Sequence, residues 1–90
     1  MSTKFKVGVS QYISERDCFL ITVHTNFDFL DYPLHPVVVN LEDGTQHKGT
    51  LLTSKYFPPK DNDLPAWILV VRLDERFDRE MVDITNVEIT

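Results

Sequence analysis

The stretch Val37-Val38-Val39-Asn40-Leu41-Glu42-Asp43-Gly44-Thr45-Gln46-His47-Lys48-Gly49-Thr50-Leu51 decides the fold class of this chain. Successive side chains of a strand alternate between faces, so Val37, Val39 and Leu41 share one of them. Asp43-Gly44 follows as a turn, because glycine reaches the positive φ of a tight hairpin without a steric penalty. A second strand then runs from about Gln46 to Tyr56.

Downstream, Trp67-Ile68-Leu69-Val70-Val71-Arg72-Leu73 is apolar at almost every position, the pattern of a central strand covered on both faces. Asp83 to Thr90 alternates loosely through Ile84, Val87 and Ile89. Between them, Asp74 to Met81 is charged, and Phe77 and Met81 fit one helical turn or a strand extension equally well. Upstream, Lys4 to Tyr12 alternates, with Phe5, Val7 and Val9 on one side. The polar turn Ser14-Glu15-Arg16-Asp17 leads into Cys18 to Thr25, where Phe19, Ile21 and Val23 point inward, and the two runs read as a hairpin. No segment keeps a helical period. The expectation is one all-β domain over residues 1–90, a small barrel or sandwich of about six mostly antiparallel strands with its key hairpin at 37–56.

Composition narrows the function. The 90 residues carry a net charge of −5, with 42% hydrophobic and 11% aromatic residues, a globular rather than a disordered balance. The one cysteine, Cys18, cannot close an internal disulfide, which fits a reducing compartment. The N-terminus lacks an apolar signal core, and the longest apolar run, Ala66 to Val71, is far too short to span a bilayer. These features point to the cytoplasm, cellular or virus-encoded, with no membrane partner. The negative charge, with no basic cluster beyond Lys4 and Lys6, weighs against nucleic acid and favours a protein partner with a basic surface.

The hairpin stretch also resembles the first motif of Sm-like proteins, V-x-L-x-D-G-x4-G-x-L, carried here by Val39, Leu41, Asp43, Gly44, Gly49 and Leu51. Trp67 to Leu73 and Glu80 to Ile89 resemble that family's last two strands, so the likeness covers about residues 37–90. It implies a strongly bent barrel in which Gly49 permits the bend. The family's base-binding Asp and Asn fall on Lys55 and Pro59, and Thr85-Asn86 stands near its Arg-Gly. The resemblance therefore implies the barrel without the RNA pocket.

Catalytic and metal chemistry find little footing. Cys18 and His24 lie roughly 20 Å apart along an extended strand, too far to share an ion. His35 and His47 have no ligand pair beside them, so neither a metal nor a cofactor is expected. Cys18 opens a strand without a helix N-terminus to activate it, and no enzyme is expected. Two loops remain. Asn26 to Pro36 sets Phe27, Phe29 and Tyr32 among acids, and Phe27, Leu30 and Leu34 there can plug the barrel or form a surface. Tyr56 to Pro65 is longer than a hairpin requires and is stiffened by Pro58, Pro59 and Pro65. The expected function is a non-enzymatic, acidic protein-binding module that covers a partner's surface, as an inhibitor or adaptor of viral or phage type. Phe29, Tyr32 and Phe57 would anchor, while Asp28, Asp31, Asp61 and Asp63 would steer. The alternatives are an Sm-like oligomeric ring on single-stranded RNA, or a subunit of a larger assembly joined through an edge strand at residues 4–12.

Overall fold

A computed structural model describes residues 3–75 and 83–89. It is all-β. Seven strands, β1 (Thr3–Lys6), β2 (Val9–Ile13), β3 (Cys18–His24), β4 (His35–Leu41), β5 (Gln46–Phe57), β6 (Ala66–Leu73) and β7 (Ile84–Ile89), form one curled antiparallel sheet in the order β1-β7-β4-β5-β6-β3-β2. Its two ends are β1 and β2, which are consecutive in the chain. The first half of the N-terminal segment pairs with β7, the second half with β3. At the crossing, Val7 N donates to Thr85 O and Gly8 N donates to Thr22 O, drawing the sheet round into a barrel.

That change of partner overturns the single alternating strand expected over 4–12. Phe5 is buried, yet Val9 is 64% exposed and Tyr12 packs on the core instead. The bend at Val7-Gly8 breaks the alternation, so Val9 and Phe5 face opposite sides. Ser10, now facing in, accepts a hydrogen bond from Ile84 N through its hydroxyl. The expected hairpin of residues 4–25 is present as β2 and β3, registered from Val9↔Thr22 to Ile13↔Cys18.

The core is the concave face. Phe19, Ile21 and Val23 of β3, Val37, Val39 and Leu41 of β4, and Leu51 of β5 meet Trp67, Leu69, Val71 and Leu73 of β6 and Ile84, Val87 and Ile89 of β7. Strand β6 lies between β5 and β3. The expectation that both its faces are covered fails: Ile68 and Val70 on the outer face are only half-buried and Arg72 is exposed. In an antiparallel sheet without a second layer, one face meets water. The short spacing from Ile84 to Val87 follows a register shift in which Asn40 pairs with Asn86 and Leu41 with Ile84. The expectation for residues 74–81 falls largely outside the described residues.

Two glycines carry the central hairpin. Gly44 sits at φ +87°, with Thr45 capped by the Asp43 carboxylate. Nothing lies within 4 Å of the position a Cβ would take there. Gly44→Ala therefore suffers backbone strain alone, an expected loss of about 1 kcal/mol in urea unfolding, with Gly44→Asn closer to wild type. Gly49 is different. A Cβ there would stand 2.5 Å from Arg72 O and 3.1 Å from Leu73 Cα, because the paired backbone of β6 approaches closely at Gly49↔Leu73.

Candidate functional site

The pairing places both candidate loops at one end of the barrel. Strand β3 leaves the sheet at His24, opposite Ala66, and β5 leaves it at Phe57, opposite the same Ala66. Residue 25 therefore begins the first loop where residue 65 ends the second, and Thr25 N donates to Pro65 O between them, while the first loop finishes at His35, opposite Leu51.

Under this end lies an aromatic cluster. Phe29 packs against Phe5 at 5.0 Å, Phe27 at 4.9 Å and Trp67 at 5.3 Å between ring centroids. Tyr56 closes on the other side of Trp67 at 5.0 Å. Tyr32 stacks on Phe27 and meets His35 edge-on. The Trp67 indole Nε1 is buried there without a hydrogen-bond acceptor among the described residues, a polar edge sequestered by its aromatic neighbours.

The loop thus reverses the expectation for Phe29. Phe29, read as an anchor for a partner, is 1% exposed and belongs to the core. Of Phe27, Leu30 and Leu34, for which a plug and a surface are both open in the sequence, Phe27 packs on the core while Leu30 and Leu34 are 65% and 71% exposed. The reason is local. Asp28 caps a single 3-10 turn, Phe29–Asp31, by accepting Leu30 N at 2.9 Å. That turn rolls Phe29 inward and Leu30 outward. Leu34, held at φ +53° after Pro33, is carried away from the barrel before β4 begins. Neither feature has a period that sequence patterning can detect.

The remaining predicted residues are at the surface or partly so. Asp28, Asp31, Asp61 and Asp63 are exposed, Tyr32 is half-buried, and Phe57 is exposed beside Leu64. Asp61 adopts a positive φ of 56°, and Asp63 N donates to Lys60 O, so residues 60–63 form a tight turn. This second loop folds toward the outer face of the sheet. With His24, Phe57 and Ala66 it encloses an open groove of about 700 Å³, walled by Pro58, Pro59, Lys60, Asn62, Asp63 and Leu64.

Elsewhere the chemistry is sparse. Cys18 is buried and unbridged. Among the described residues no three His, Cys, Asp or Glu side chains gather as they would around a metal ion. Among them, too, no helix is long and apolar enough to cross a membrane. The polar contacts of the outer face are cross-strand: Asn40 Nδ2 donates to Asn86 Oδ1 and to Glu88 Oε2, tying β4 to β7. Compared with protein-family models, curated proteins and solved structures, the chain matches none of them.

Proposed function

We propose that this protein is a non-enzymatic binding module whose loop end covers the surface of a partner protein. The observation that carries the reading is the convergence of residues 25–34 and 58–65 on one end of the barrel. In these two loops Leu30, Leu34, Phe57 and Leu64 are exposed, as are Asp28, Asp31, Asp61 and Asp63. Exposed apolar side chains on the loops of a small scaffold suit a contact surface. The exposed carboxylates of the same two loops favour a basic partner and speed its approach at low salt. Tyr32, wedged between Phe27 and His35, positions the loop and offers its exposed part to the same surface.

Affinity capture with the immobilised chain tests this reading against the double variant Leu30→Ser, Leu34→Ser. Both side chains are in water, so the variant should melt within a few degrees of wild type. It should lose the proteins that wild type retains, and added salt should weaken the wild-type capture. Identical capture by the two chains would sink the proposal. So would light scattering that shows a ring of six or seven copies, because the Sm-like reading with single-stranded RNA would then take its place.

A further inference from the structure

Strand β5 is paired with β4 for only half of its length. Its ladder with β4 stops at His35↔Leu51, where Leu34 turns the chain away, while its ladder with β6 continues to Phe57↔Ala66. Leu52 is an extra residue at the changeover, since Leu51 pairs with Val71 and Thr53 with Val70. From Leu52 to Phe57 the β4 side of the strand has no backbone partner among the described residues. Six residues span roughly 20 Å of sheet edge. A free edge of that length is a template for another strand.

We propose that this edge takes up an extended peptide strand bearing carboxylates. Charge selects the occupant. From Gly44 to Lys60 the chain has no Asp or Glu but carries Lys48, Lys55 and Lys60, in a protein whose net charge is −5. Lys55 stands exposed in the middle of the free edge, its Nζ 5.3 Å from the Phe57 ring centroid. A second copy of this chain would bring its own Lys55 to the seam and no carboxylate from its own β5. Like charges on paired strands repel, whereas an acidic strand gains a cross-strand partner at Lys55. The alternation of β5 puts Thr53, Lys55 and Phe57 on one face and Ser54 and Tyr56 on the other. The fitting strand therefore alternates, with carboxylates on the Lys55 face and apolar side chains against Tyr56. Pro58 and Pro59 end the edge, so about six peptide residues saturate it.

The test is fluorescence anisotropy of the full chain with three labelled hexapeptides: alternating valine and glutamate, alternating valine and lysine, and the glutamate peptide with methylated backbone nitrogens. The glutamate peptide should bind at least about fivefold tighter than the lysine peptide, and Lys55→Glu should reverse that order without shifting the melting temperature. The methylated peptide should fail to bind, because it keeps every side chain and loses its strand donors. Equal binding of the methylated peptide would overturn the proposal, as would no binding of the glutamate peptide or an order indifferent to Lys55→Glu. A stable dimer by light scattering that Ser54→Pro dissolves would give the edge to a second copy instead. These variants leave Leu30 and Leu34 untouched and the double variant leaves Lys55 untouched, so this proposal and the loop surface stand or fall separately.

Discussion

Gly49→Ala should lower the stability of the barrel by about 3 kcal/mol, the upper end of what an added methyl group costs in a packed site. The methyl would meet the Arg72 carbonyl oxygen at 2.5 Å, and that oxygen belongs to the backbone of β6 and cannot swing aside. The strands must separate at Gly49↔Leu73, the first pair of their ladder. For a domain of this size the melting temperature should fall by roughly 15 °C. Trp67 is the chain's one tryptophan and is buried, so its fluorescence reports the loss directly. Gly8→Ala is the control. A Cβ at Gly8 lies 3.6 Å from Thr22 O, an ordinary contact, and should change stability by less than about 1 kcal/mol. Equal melting of the two variants would show that β6 can yield at Gly49.

Phe29→Ala should cost more still, about 3–5 kcal/mol, because it empties the centre of the aromatic cluster. Its ring touches Phe5, Phe27 and Trp67, and none of these can collapse into the gap without leaving its strand or turn. Since a small domain holds only about 5–10 kcal/mol in all, a large fraction of the variant should be unfolded at 37 °C. Its neighbour makes the contrast: Leu30→Ala should stay within about 0.5 kcal/mol, since Leu30 is 65% exposed. Urea titrations of the two variants, read by Trp67 fluorescence and near-ultraviolet dichroism, decide the matter. If both melt like wild type, Phe29 is not a core residue and the loop must be redrawn as a surface. That outcome would also remove the turn capped by Asp28 as the reason Leu30 points outward.

The strands from β3 onward were legible because their information is local. The alternation of Phe19, Ile21 and Val23, and of Val37, Val39 and Leu41, needs nothing beyond the two-residue period of a strand. The turn at Asp43-Gly44 needs only a residue free to take positive φ. The acidic balance and the lone cysteine were equally plain in the chain. What the tertiary structure decided depends on partners remote in sequence. The N-terminal segment reads as one alternating strand, yet it exchanges β7 for β3 at Val7-Gly8, and only that crossing puts Val9 outside and Tyr12 inside. Phe29 and Leu30 are adjacent, similar in hydrophobicity and without a periodic frame. Trp67, 38 residues away, supplies one wall of the cavity that takes the first and leaves the second in water. In the same way, Leu52 to Phe57 continue a strand that looks uniform in sequence. Their free edge exists because β4 begins at His35, opposite Leu51, and pairing length is a property of two strands rather than of one.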